Sequence, residues 1–158
     1  PYHLTSPILE KIITSASCIS SAVLMVQEEV ARRITAKSDT SDFSPLSMFV
    51  QYHSNPKYGF FVPKDCFYPA PRVGSSVIRL DLGKRFAVDD EEQFFTLVRT
   101  AFCHRRKMIR SSIKDLYDQT KIENALESIK KPKEARPEML SCEDWMYLFE
   151  HLLASIGK

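Results

Sequence analysis

Five cations fall within ten positions of this chain: Arg105, Arg106, Lys107, Arg110 and Lys114, with no Asp or Glu between Cys103 and Lys114. The formal net charge is only +2, so this segment is a local departure from a near-neutral chain. Cations with no interleaved acids suit a polyanion such as a nucleic-acid backbone. Arg106, Arg110 and Lys114 lie four apart, so a continuous helix would set them in one stripe able to track phosphates. Met108, Ile109, Ile113 and Leu116 would supply its buried side. The other reading is a solvated charged face, and the missing acids speak against it because such faces usually mix both signs. KKPKEAR at 130–136 reads as a weaker second patch on a solvated loop.

Other chemistries find less support. Cys18, Cys66, Cys103 and Cys142 form no CxxC pair, and His3, His53, His104 and His151 form no HxxxH or HExxH pattern, so no metal centre is expected and the thiols read as free and buried. The longest apolar stretch, Ala22 to Val26, is far short of the ~20 residues of a membrane span. Pro1 to Leu9 lacks the basic flank and apolar core of a secretory signal. A soluble cytoplasmic chain with no membrane partner is expected.

The elements that position the cations can be read from periodicity. Ser6-Pro7 followed by Ile8, Leu9, Ile12 and Ile13 predicts a capped helix. SSAVLMVQ predicts a strand whose continuous apolar run suits a parallel sheet covered on both faces. EEVARRI is a helix with acids first and arginines last, as the helix dipole favours. PLSMFVQYH predicts a short helix begun by Pro45, and KYGFFVP a strand. VGSSVIRLDL alternates Val77, Arg79 and Asp81 against Ile78, Leu80 and Leu82, the pattern of a half-buried strand. Between these two strands KDCFYPAPRVG is a rigid, proline-rich loop. From Asp89 onward the pattern is helical: DDEEQFFTLVRTAFCHRR with Phe94, Phe95, Val98, Ala101 and Phe102 on one face, then KMIRSSIKDLY, KIENALESIK, and CEDWMYLFEHLL capped by Ser141 with Asp144 closing a capping box. The predicted boundary lies near Gly83, dividing residues 1–83 from 84–158.

Three stretches, PY at the start, FYPAPRVGSSVIRL in the middle and AFCHRRKMIRSSI near residue 105, resemble in order and spacing the second half of the ribosomal RNA adenine N6,N6-dimethyltransferases of the KsgA/RsmA type, whose near relatives are the Erm methyltransferases. The resemblance runs over essentially the whole chain. It implies an α/β class followed by an all-α part: residues 1–83 as the C-terminal part of a Rossmann-like methyltransferase sheet, and 84–158 as a helical RNA-binding domain. It implies dimethylation of two adjacent adenosines near the 3′ end of small-subunit ribosomal RNA, in a pre-30S-type particle, with S-adenosyl-L-methionine as methyl donor. An Erm-type enzyme of large-subunit RNA and a non-catalytic ribosome-assembly module are the alternatives.

The family motif at PY is Asn-Leu-Pro-Tyr, so the resemblance implies a chain that begins inside a motif. The glycine-rich loop and the acidic residue that hold the donor would precede it. A truncated, inactive fragment that self-associates is therefore the expectation, with no cofactor-binding residues of its own. The catalytic candidates are Pro1, Tyr2 and Phe67. An adenine amine is a poor nucleophile because its lone pair is delocalised into the ring, and the Pro1 carbonyl would accept a hydrogen bond that favours the reacting geometry. Tyr2 and Phe67 would stack on the two faces of the displaced base. Without the resemblance, Tyr2 reads as an aromatic at a chain end and Phe67 as a core residue under a loop. The RNA-binding candidates are Arg105, Arg106, Lys107, Arg110 and Lys114. His3, Gly74 and Cys103-His104 depart from the family pattern, and Gly74 is expected to loosen the loop carrying Phe67.

Overall fold

Alternating side chains build a three-stranded sheet from Ser21–Gln27 (β1), Ser54–Val62 (β2) and Ser75–Leu82 (β3), in the order β1-β3-β2. The computed structural model describes residues 4–83 and 86–154. These fall into two compact units, one of residues 1–36 with 46–85 and one of 37–45 with 86–158.

In the first unit β3 pairs antiparallel with both neighbours. Leu24 stands opposite Ile78 and Ala22 opposite Leu80, so one face of the sheet is apolar in register. Helices α1 (Thr5–Thr14), α2 (Glu28–Thr35) and α3 (Pro45–His53) add the rest of the core: Leu9, Ile13, Ala31, Ile34 and Val50 pack with Val26, Ile78 and Leu80. Helix α1 starts before Pro7 and carries no side-chain cap; Pro7 sits in the first turn, where its missing N–H leaves no bond unmade. Two expectations are corrected here. Among the described residues the apolar run in β1 pairs with β3 alone, antiparallel, and it is covered on one face rather than both: Val23 and Met25 are 67% and 52% exposed. A continuous apolar run is compatible with either arrangement, and the pairing with β3 decides. Three of the four thiols, Cys18, Cys66 and Cys103, are exposed and only Cys142 is buried.

A bulge in β2 sets which aromatic faces where. The register shifts between Tyr58 and Phe60, so Tyr58 lies opposite Ile78 while Phe60 lies opposite Val77, on the other face. Phe61 then falls opposite Ser76. Gly59 makes this possible, because a Cβ there would stand 2.8 Å from the carbonyl oxygen of Val77.

The second unit is helical: α4 (Glu91–Cys103), α5 (Ile109–Ser112), α6 (Gln119–Ser128) and α7 (Cys142–Ala154). Asp90 caps α4 by accepting from Gln93 N at 2.9 Å, and Asp118 caps α6 through Thr120 N at 2.9 Å. The capping box of α7 forms: Ser141 N donates to Asp144 Oδ2 at 2.8 Å and Asp144 N to Ser141 Oγ at 3.1 Å. Phe94, Phe102, Phe149 and Trp145 make an aromatic core with ring centroids 5.5 Å (Phe94 to Phe149) and 6.2 Å (Phe102 to Trp145) apart. Trp145 Nε1 donates to Pro137 O at 3.3 Å, which satisfies its one polar atom inside that core. No helix among the described residues is long and apolar enough to cross a membrane.

Replacing Gly59 with Ala forces the Val77 carbonyl or the bulge to move. The expected cost is about 1–3 kcal/mol, the range of overpacking in a well-packed site, read as a shift of the urea midpoint by circular dichroism. An unshifted midpoint would show that the bulge tolerates a Cβ.

Candidate nucleic-acid interface

The cationic segment lies in the second unit and is built on a break rather than on a helix. Helix α4 ends at Cys103, and the chain turns through residues 104–107 with Lys107 N donating to His104 O at 2.7 Å. Met108 is extended, and α5 spans only Ile109–Ser112. The expected stripe of Arg106, Arg110 and Lys114 on one continuous helix is therefore corrected. Buried Ile109 and Ile113 fix the segment from below, and Ile109 N donates to Ala135 O at 2.8 Å. Met108 is half-buried and Leu116 exposed, so the predicted buried side is shorter than its sequence pattern.

Carboxylates divide the five cations. Arg110 pairs with Glu123 at 2.8 Å, and Lys133 reaches the same carboxylate at 3.3 Å. Arg110, with Gln119 and Lys133, holds the Glu123 carboxyl far below its ordinary value of 4.5, at about 2. Arg105 faces Glu138 at 3.7 Å and donates to the Thr40 carbonyl at 3.1 Å. Arg106, Lys107 and Lys114 pair with no carboxylate among the described residues. They line, with Met108, Ser111 and Arg136, a cavity of about 520 Å³ that contains four cations and no acid. A neighbouring hollow of about 390 Å³ shares Arg106 and Lys107 and adds Cys103, His104 and Arg105. Sequence reasoning missed Arg136. It sits in the 130–136 run read as a weaker patch on a solvated loop, where two of the three lysines, Lys131 and Lys133, are tied to Asp144 (2.8 Å) and Glu123.

The other candidates belong to the first unit. Pro1 and Tyr2 lie outside the described residues. Phe67 is half-buried, in a loop that leaves β2 through a short 3₁₀ turn at Lys64–Cys66 and returns at β3. The base of that loop is tied to α2. Glu28 N donates to Gly74 O at 3.2 Å, and the Glu28 carboxylate accepts from the hydroxyls of Ser76 and Tyr58, the latter at 3.0 Å, and from Arg32 Nε at 2.6 Å. The Ser76 hydroxyl above all, then Arg32 and Tyr58, hold this carboxyl below its ordinary value against the opposing effect of burial. Gly74 was expected to loosen the loop. Instead its missing Cβ leaves room for the ring of Phe61, which stands where that carbon would be.

A sequence profile described as "Ribosomal RNA adenine dimethylase" matches residues 1–153. The chain belongs to the ribosomal RNA adenine dimethylase family. Within it, the chain is 48% identical over 155 residues to "Ribosomal RNA small subunit methyltransferase A" of Protochlamydia amoebophila, covering 98% of this chain and 55% of that protein. The protein of the same name from Chlamydia trachomatis serovar L2 is 40% identical over 159 residues, 99% of this chain and 57% of that one. The chain thus spans about half the length of these dimethylase-family relatives. Among solved structures, the 23S rRNA methyltransferase ErmE superposes with a TM-score of 0.72 at 25% identity, over 96% of this chain and 62% of that one. A dimethyladenosine transferase from Plasmodium falciparum superposes with a TM-score of 0.83 at 22% identity, over 98% and 65%, which supports the mixed α/β fold.

The depressed Glu123 pKa carries a prediction. A carboxyl whose folded value lies below its unfolded one contributes stability that is present above the unfolded value and lost as pH falls through the folded value. The advantage of the chain over Glu123→Gln should therefore be full above pH 4.5 and vanish near pH 2. Thermal midpoints of both proteins across that window measure it; a difference independent of pH would deny the Arg110–Glu123 pair its role.

Proposed function

We propose that this chain is part of an enzyme that dimethylates N6 of two adjacent adenosines near the 3′ end of small-subunit ribosomal RNA, within a pre-30S-type particle in the cytoplasm. The observation that carries the reading is the acid-free cavity of Arg106, Lys107, Lys114 and Arg136 on a chain whose 48% and 40% identical relatives are named as small-subunit methyltransferases. On this reading residues 84–158 bind RNA backbone, and residues 1–83 are the C-terminal part of a Rossmann-like sheet. The Erm-type alternative rests on a 25% identical structure and has less support.

The proposed methyl donor is S-adenosyl-L-methionine, which supplies an electrophilic methyl group when bound. Three hollows of the described residues do not fit it. Both cationic hollows would repel a sulfonium, and a third hollow at Asp90, Glu92, Gln93 and Thr96, about 260 Å³, is below the roughly 300 Å³ of ordinary ligand clefts. The sequence contains no GxGxG loop to cradle the donor. On this reading the donor is held chiefly by polypeptide other than these residues. The chain's own proposed contribution is to the base. The Pro1 carbonyl accepts from the adenine amine, Tyr2 and Phe67 hold the ring between flat faces, and the cations bind the flanking backbone.

Neutralising Arg106, Lys107 and Lys114 to Gln should weaken binding of a small-subunit 3′-end RNA hairpin. It should also flatten the salt dependence by roughly 0.7 to 0.9 in log–log slope for each phosphate that no longer meets a cation. Arg110→Gln, which removes a cation already paired, should leave the slope unchanged. Fluorescence anisotropy at several salt concentrations reads both. The same slope in the triple variant and its parent would reduce the cluster to a solvated face. In a methylation-competent protein carrying this segment, Phe67→Ala should slow methyl transfer far more than it weakens RNA binding; equal losses would remove Phe67 from the base pocket.

A further inference from the structure

Tyr68 is the most exposed large side chain among the described residues, at 102% of its reference area, and it directly follows the half-buried Phe67. The backbone at Phe67 is extended (φ −120°, ψ 149°), and in extended backbone successive side chains point to opposite sides. Phe67 therefore turns toward the protein and Tyr68 away from it. The difference in exposure, half-buried against fully open, separates the two rings.

The loop that presents Tyr68 is anchored at both stems. On the β2 side, Cys66 N donates to Pro63 O at 3.1 Å and Phe67 N to Lys64 O at 3.2 Å. On the β3 side, Gly74 O is held by Glu28 N, and the Phe61 ring covers Gly74. Pro69 and Pro71 restrict the backbone between the stems. An aromatic ring open to water on a restrained loop loses little conformational entropy when a flat ligand covers it. The loop also carries Lys64 and Arg72, both exposed and neither paired with a carboxylate among the described residues, against the single acid Asp65. An open aromatic face with an unpaired cation four positions away on each side in the sequence suits a platform for unpaired nucleotides: a ring stacks on any base, and cations take phosphates.

We propose that Tyr68 stacks on an unpaired nucleotide adjacent to the target adenosine, with Lys64 and Arg72 on its flanking phosphates. This inference rests on the RNA-methylation reading above and adds a second stacking position to it, outside the base pocket.

The test is a fluorescence titration of the chain with a single-stranded RNA of about ten nucleotides, a length within the range one module covers, bearing 2-aminopurine at an internal position. Stacking on Tyr68 quenches the probe. Tyr68→Ala should weaken binding about ten-fold, the scale of one missing base–aromatic stack, and reduce the quenching while leaving the salt slope unchanged. Tyr68→Phe keeps the ring and should stay within about two-fold of the parent. The Tyr68 side chain is fully open to water, so both variants should match the parent in thermal midpoint. Unchanged affinity and quenching in Tyr68→Ala, while the Arg106, Lys107 and Lys114 variant loses affinity, overturns the Tyr68 assignment and leaves the RNA reading standing. A parent chain that fails to bind the oligonucleotide, or a triple variant that binds it as well as the parent, overturns both.

Discussion

An arginine whose side chain is largely withdrawn from water cannot be left without a counter-charge, and that constraint sorts the cationic segment of the second unit. Arg110 and Glu123 keep only 26% and 18% of their side-chain surface, and they meet at 2.8 Å. Arg105 is held more loosely, 3.7 Å from the Glu138 carboxylate and without a hydrogen bond to it, with the Thr40 carbonyl as its acceptor. These two arginines serve the fold: Arg110 ties α5 to α6, and Arg105 ties the end of α4 to residues 37–45 and to the turn before α7. Arg106, Lys107, Lys114 and Arg136 stay exposed, and no acid among the described residues pairs with them; the segment carrying the first three is anchored by the buried Ile109 and Ile113. The break after Cys103 then turns what would have been a linear stripe into a concave cluster, which concentrates positive potential more than a row along a helix does.

The first unit meets a different constraint. Its sheet has one apolar face in register with three helices, and the loop between β2 and β3 must leave that sheet without fraying it. The bulge at Gly59 sends Phe60 to the open face and brings Phe61 over Gly74, while Tyr58 and Ser76 converge on Glu28 at the first turn of α2. Three donors on one carboxylate, supplied by β2, β3 and α2, fix the spacing of those elements where the loop begins and ends. A single acidic residue therefore serves as both a helix-terminus charge and the knot at the base of the loop.

What could be read in the sequence was what local chemistry decides. The Ser141–Asp144 capping box, the acid-first helix α2, the buried face Phe94, Phe95, Val98, Ala101 and Phe102 of α4, and the alternation of Ile78 and Leu80 in β3 all depend on neighbours within a few positions, and all formed. The failures have the opposite origin. Nothing between Cys103 and Lys114 is a Gly or Pro, so the break in the helix left no local mark; the ties from Arg105 to Thr40 and Glu138, both distant in sequence, accompany it. Arg136 reaches the cluster beside a backbone bond from Ile109 N to Ala135 O, a contact between residues distant in sequence. The apolar run of β1 reads equally as a strand covered on two faces or an edge strand covered on one, and only its partner distinguishes them. Gly74 looked permissive because a missing side chain suggests freedom, whereas here it admits a ring.

On the proposed reading the two units would each offer an RNA a kind of contact that cannot substitute for the other. Attraction between the free cations and phosphates acts across a Debye length of about 8 Å at physiological salt, and it brings a polyanion to the surface without distinguishing one sequence from another. Stacking acts only at contact and needs the base already unpaired. A surface with charge alone would hold any RNA, and a stacking loop alone would rarely meet an unpaired base long enough to keep it. On the proposed reading, selection of an adenosine therefore falls to the aromatic loop of the first unit, and the cations of the second unit supply attraction that does not depend on sequence. The two surfaces differ accordingly: the cations need only be left unpaired on an anchored segment, while the strands that carry the loop are joined through Tyr58 and Ser76 to the Glu28 carboxylate.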